Sequence, residues 1–287
     1  MSTTLKDDIY RGWVTLDDPA IIEIQEKYIR KVIDIVNGYD NVLYEICNEA
    51  GKQSHDWQDH LIRVIKEYEK GKPKQHPVGS TGGQGTLNAR TYQSPADWIS
   101  PDCGAGDEFA DEYRQGRYTW GEARFDTRDK VVILDTDHLW GIGGDEEFAW
   151  KNFCRGYNVI YMDPFLDMPW HFFEHPRWPA SHNVHLRREM GSIRRYAQMM
   201  DLNHCLPLNA LSTTGYCLAL PGRSYLVYQP QSGPFRLMLV GGEYRQQWHD
   251  PSTGETRPWE KHTYADGWTT FNPPMQGDAV LYIQALK

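Results

Sequence analysis

Three short apolar runs in this sequence end abruptly in carboxylates. NVLYEI, residues 41 to 46, gives way to Cys47, Asn48 and Glu49; VVIL, residues 131 to 134, gives way to Asp135 and Asp137; NVIYMDPF, residues 158 to 165, carries Asp163. Two carboxyl groups brought together can act on one bond: one, kept protonated, assists a leaving oxygen, while the other, ionised, attacks carbon or activates water. Burial or the neighbouring charge supplies the raised pKa that the acid needs. His138 could orient a carboxylate or bind a hydroxyl, and Trp140 offers a flat apolar face with one polar edge. The block MPWHFFEHPRW, residues 168 to 178, follows the last run and supplies Trp170 as the leading aromatic platform. Strand-end acids with aromatics suit sugar chemistry better than nucleotide binding.

Other chemistries find little support. His171, Glu174 and His175 could share a helix face, but Pro169 and Pro176 flank them and the pattern is not H-E-x-x-H, so no metal site is expected. STGGQGTLNAR, residues 80 to 90, lacks the lysine and the strand-to-helix context of a phosphate loop, and no G-x-S-x-G elbow occurs. No cofactor is called for. The net charge of −9 disfavours nucleic acid, and Arg187, Arg188, Arg194 and Arg195 read as one solvated helix face. Five cysteines stand far apart with no C-x-x-C pair, no apolar run is long enough to span a membrane, and MSTTLKDDIYRGW lacks the apolar stretch of a signal peptide. The cysteines are therefore expected reduced and the chain cytoplasmic, or secreted if it is a truncated form.

The elements that must position these groups follow from caps and periodicity. Asp18-Pro19 starts a helix that runs through IIEIQEKYIRKVIDIV to Asn37-Gly38. A second helix covers about 55 to 70, with Trp57, Leu61, Ile65 and Tyr68 at helical spacing. HPVGST and residues 97 to 100 are short strand candidates, 131 to 134 is a buried strand, 145 to 157 is helical, and 158 to 165 is a further buried strand. A helix from about His182 carries one apolar stripe of Leu186, Met190, Ile193, Ala197 and Met200. Beyond Asp201 only short strands separated by turns remain, with DPSTG between Trp248 and Trp259 as a hairpin turn. Alternating strands and helices imply a parallel sheet with crossover helices, whose strand ends gather Glu49, Asp135, Asp137 and Asp163 at one mouth.

VLYEICNEAG resembles the fourth strand of clan A glycoside hydrolases, in which Asn-Glu closes the strand and the glutamate is the general acid/base. KVVILDTDHLWGIGGD resembles their seventh strand. With HPVG, SPADWIS, NVIYMDPF, REMGSIRRYAQMMD and STTGYCLALPG, the chain resembles a cellulase-like family that joins such a barrel to a small β-domain, sometimes labelled collagen-binding; QQWHDPSTGE and GDAVLYI match that domain. The resemblance implies Glu49 as acid/base, Asn48 against a sugar hydroxyl, and Asp135, ahead of Asp137, at the nucleophile position, where the clan carries glutamate. Counted on that pattern, the chain holds strands four to eight. The expectation is an α/β fold: an incomplete (β/α) barrel of about five units over residues 1–203, then an all-β sandwich over 204–287. The expected function is retaining hydrolysis of a β-linked glycoside, with a degenerate carbohydrate-binding protein as the alternative. Five strands leave open edges, which a homodimer would cover.

Overall fold

The computed structural model describes residues 12–48, 51–81, 88–101, 130–135, 146–161 and 180–286. A parallel sheet takes the strand order β1-β2-β3-β4-β5, formed by Tyr44–Glu45, Val78–Thr81, Trp98–Ser100, Val131–Asp135 and Asn158–Ile160. The chain divides into two compact units, Met1–Leu134 and Asp135–Lys287.

In the first unit, helix α1 (Pro19–Val36) begins where the Asp18 carboxylate accepts hydrogen bonds from the Ala20 and Ile21 amides at 2.9 and 3.4 Å. Helix α2 (His55–Glu69) packs beside it: Trp57 Nε1 donates to Gln25 Oε1 at 2.8 Å, and Tyr68 donates to Asp34 at 2.9 Å. A short helix α3 (Asn88–Gln93) stands where the sequence reads as the end of a glycine-rich loop. The first strand is shorter than the apolar run suggests, covering two residues of NVLYEI.

The amino ends of these strands are tied by ionic groups. His76, just before β2, sets its two ring nitrogens against oxygens, Nδ1 against Glu69 Oε1 and Nε2 against the Tyr39 carbonyl, both at 2.8 Å. Only the imidazolium can donate to both. Glu69 also accepts from the His76 amide at 2.6 Å, Asn37 Nδ2 at 2.8 Å and the Tyr44 hydroxyl at 3.1 Å. Nearby, Lys66 Nζ reaches Asp97 Oδ1 at 2.6 Å and the Pro95 carbonyl at 2.7 Å, while Asp97 Oδ2 accepts from the Val78 amide.

The second unit is built around an antiparallel sheet, β11-β10-β14-β8-β7-β6, with β12 also paired to β10 and a separate two-stranded ribbon β13-β9. Its strands are Leu206–Pro207 (β6), Cys217–Leu220 (β7), Ser224–Gln229 (β8), Phe235–Leu239 (β9), Gly242–Asp250 (β10), Glu255–Thr256 (β11), Glu260–Tyr264 (β12), Gly267–Phe271 (β13) and Ala279–Ala285 (β14). The central strands are apolar on both faces because both are covered. Leu226, Tyr228, Val280 and Tyr282 pack with Trp150 and Phe153 of helix α4 (Glu146–Cys154) and with Leu186, Ile193 and Tyr196 of helix α5 (Ala180–Met199). Tyr225, Val227, Leu281 and Ile283 pack with Phe235, Leu237 and Phe271 of the ribbon. The stripe read on α5 is thus core, as its spacing predicts. The hairpin at DPSTG is present, Asp250 pairing with Glu255.

One histidine–carboxyl contact is sealed in this interior. His249 Nε2 lies 2.8 Å from Glu189 Oε2, Trp150 Nε1 donates to the same oxygen at 3.1 Å, and His249 Nδ1 lies 3.0 Å from Thr256 Oγ1. Both Glu189 and His249 are fully buried. The described cysteines, Cys47, Cys154, Cys205 and Cys217, are free thiols. No helix among the described residues is long and apolar enough to cross a membrane.

Two measurements test these networks. Hydrogen bonds to the Glu69 carboxylate and to the Tyr39 carbonyl hold the His76 pKa above its ordinary 6.5, outweighing burial. Burial alone would raise Glu69, but donors from His76, Asn37 and Tyr44 hold it below its ordinary 4.5. The raised histidine contributes stability that is full below pH 6.5 and fades as pH rises through its folded pKa; the lowered glutamate contributes stability that is full above pH 4.5 and fades on acidification. The pair therefore supports folding best between those values, and His76→Gln should flatten the alkaline decline in a urea-unfolding pH series. In the second unit, His249→Ala removes a fully buried ring and its contacts with Glu189 and Thr256 and should lower the unfolding free energy by about 3 kcal/mol, read by chemical denaturation.

Candidate active site at the carboxyl ends of the parallel strands

Register assigns each strand residue to a face. Tyr44 pairs with Val78, and Ser80 with Ile99, placing these with Val132 on the side where α2 packs: Ser80 donates to Gln58 of α2 at 3.1 Å, and Tyr44 reaches Glu69. The opposite row is Glu45, Gly79, Trp98 and Val131, followed toward the carboxyl ends by Thr81 and Ser100.

That second row carries the polar groups. Thr81 Oγ1 donates to the carboxylate of Glu45, whose side chain is exposed. The Trp98 indole lies across Gly79: a Cβ built there would stand 2.0 Å from Trp98 Cε2 and 2.2 Å from Cζ2, so only glycine admits the ring. Trp98 Nε1 and Ser100 Oγ are buried and have no hydrogen-bond partner among the described residues. An N–H donor, a hydroxyl and a carboxylate thus share one face of three adjacent strands.

Past β1, Cys47 is half-buried, and burial together with the Glu45 charge pushes its thiol pKa up, so it remains protonated and is a poor nucleophile. Asn48, expected to bind substrate, follows it and is exposed. His55 opens α2; burial and then the Arg90 charge lower its pKa, and its Nε2 has no partner among the described residues.

Asp135 is the final residue of β4, immediately after four apolar residues, as the sequence predicts. Glu49, Asp137, His138, Trp140, Asp163 and Trp170 lie outside the described residues. Glu45, Thr81, Trp98 and Ser100 are groups the sequence reading did not single out. Glu45 sits two residues before Cys47 and four before Glu49, and that alternation was the available signal. No cluster of three or more His, Cys, Asp or Glu that could hold a metal occurs among the described residues.

Comparison with known proteins bears on both units. Residues 209–284 match a family model described as "Putative collagen-binding domain of a collagenase". No curated protein matches. Among solved structures, one titled "Glycoside hydrolase" is similar over 91% of this chain and 68% of its own, with 12% identity and a TM-score of 0.59. A glycoside hydrolase family 5 structure from Bacteroides vulgatus ATCC 8482 is similar over 91% of this chain and 65% of its own, with 13% identity and a TM-score of 0.60. The chain therefore spans about two-thirds of the length of the structures it resembles. The likeness is one of fold: an incomplete barrel followed by a β-sandwich.

Gly79→Ala tests the packing that shapes this face. Forcing a methyl into the Trp98 indole should cost about 3 kcal/mol, read by urea denaturation. Gly191→Ala, with nothing within 4 Å of the added carbon, should change stability by less than about 1 kcal/mol.

Proposed function

We propose that the protein is a glycoside hydrolase acting on a β-linked glycoside. The observation that supports this most is the parallel sheet, in a fold shared with glycoside hydrolases, whose carboxyl ends lead from β1 to Asn48-Glu49 and close β4 on Asp135. Active groups of β/α barrels come from those strand ends. In this reading residues 1–203 form the catalytic part and 204–287 an accessory β-module.

Glu49 is the general acid/base. It protonates the glycosidic oxygen as the bond to the anomeric carbon breaks, then removes a proton from the water that completes hydrolysis. Asp135 attacks the anomeric carbon and forms the glycosyl-enzyme ester; Asp137 is the substitute should the strand continue in its favour. Retention requires the two carboxyls about 5 to 5.5 Å apart. Asn48 hydrogen-bonds a hydroxyl next to the reacting carbon, His138 and Asp163 hold further hydroxyls, and Trp140 and Trp170 stack on sugar faces. The working form is a homodimer, in which a second copy covers open strand edges.

A panel of chromogenic α- and β-glycosides, assayed with wild type, Glu49→Gln and Asp135→Asn, tests this directly. Wild type should turn over a β-glycoside, each variant should lose at least about a hundredfold in kcat, and the first-released anomer should retain configuration by NMR. Folded wild type that turns over nothing on the panel would overturn the assignment.

A further inference from the structure

Helix α2 opens on a serine that does not cap it. Ser54 stands in the N-cap position, where a hydroxyl ordinarily accepts from an amide of the first turn, yet its side chain makes no such bond. The hydroxyl donates instead to the Gly51 carbonyl at 2.7 Å, and the Ser54 amide donates to the same oxygen at 2.9 Å. It also accepts from Gln58 Nε2 at 2.8 Å, while Gln58 Oε1 accepts from the Ser80 hydroxyl of β2 at 3.1 Å. Ser80, Gln58 and Ser54 thus form one directional relay that starts in the sheet and ends on the backbone at Gly51.

Every link lies inside the protein: Ser54, Gln58 and Ser80 are 0%, 1% and 2% exposed. A buried amide costs free energy unless its ends are bonded, and here both ends are. The relay therefore ties Gly51 to β2 at a set distance. Gly51 comes two residues after Glu49, and only Glu49 and Ala50 separate it from Asn48, the last described residue after β1. Because β1 pairs with β2, the sheet anchors this short span on both sides, through β1 before it and through Ser80, Gln58 and Ser54 after it. Fixing both ends of so short a span removes most of the conformations open to it.

We infer that Gln58 and Ser54 are positioning residues for the Glu49 carboxyl, holding it where it can pass its proton to the glycosidic oxygen. The inference rests on the glycosidase reading of Glu49 and adds a support that touches neither the substrate nor the reacting atoms.

A proton donor matters in proportion to how badly the leaving group needs the proton, and lowered stability does not mimic that selectivity. The test compares kcat/KM, which reports the step that forms the glycosyl-enzyme, on two aryl glycosides of one sugar: a phenyl glycoside, which needs the proton to leave, and a dinitrophenyl glycoside, which does not. Gln58→Met and Ser54→Ala should each lower kcat/KM at least about tenfold on the phenyl glycoside and less than about twofold on the dinitrophenyl glycoside. The double variant should be no worse than Gln58→Met alone, because the relay is already cut. Glu49→Gln should show the same selectivity to a greater extent. Should circular dichroism show Gln58→Met unfolded, Ser54→Ala, the smaller cut, decides. Equal losses on the two substrates, or no loss on either, overturn the relay and leave the glycosidase reading in place. A folded wild type that hydrolyses no glycoside overturns that reading and the relay with it.

Discussion

A parallel strand has two faces, and in a barrel-like sheet the helices pack on one of them. In the first unit α2 packs on the row of Tyr44, Val78, Ser80 and Ile99, and the other row faces away from it. That row is unlike a core: it holds a carboxylate, a threonine hydroxyl, an indole N–H and a serine hydroxyl. Gly79 follows from the same constraint. Its neighbour across β3 is a tryptophan, and the ring finds room only where the adjacent strand has no side chain.

The two ends of these strands are provisioned differently. At the amino ends, Glu69, His76, Asn37 and Tyr44 satisfy one another, and Lys66 and Asp97 fasten α2 to the start of β2. Farther along the row that faces away from α2, Trp98 Nε1 at the start of β3 and Ser100 Oγ at its carboxyl end are buried with no hydrogen-bond partner among the described residues. A buried polar group left without a partner costs about 1–3 kcal/mol. A barrel-like fold commonly concentrates stability at the first end and chemistry at the second.

In the second unit the constraint is doubled, because β8 and β14 are apolar on both faces and both faces must be covered. The ribbon β13-β9 covers one and α4 with α5 the other. Two apolar layers can slide; a buried polar pair cannot slide without losing its partners. Glu189 on α5 bonded to His249 on β10 fixes the helix against the sheet at one register, with Tyr282 donating to the Met199 carbonyl at 3.1 Å as a second anchor.

What the sequence reveals depends on how far apart the cooperating residues lie. The start of α1 is legible because Asp18 and Pro19 are adjacent to what they cap, and β4 because VVIL is apolar without interruption. The core stripe of α5 is legible because its period is internal to one helix. α3 is not, because Asn88–Gln93 has too few residues to show a period and follows a glycine-rich run. Trp98 over Gly79, nineteen residues apart, and Glu189 with His249, sixty apart, are invisible until register brings them together. The acids read from strand ends belong to the first kind. Their signal is a local change from apolar to polar, so Asp135 at the close of β4 could be placed from sequence, whereas the Glu45–Thr81 pair required knowing which strands are neighbours.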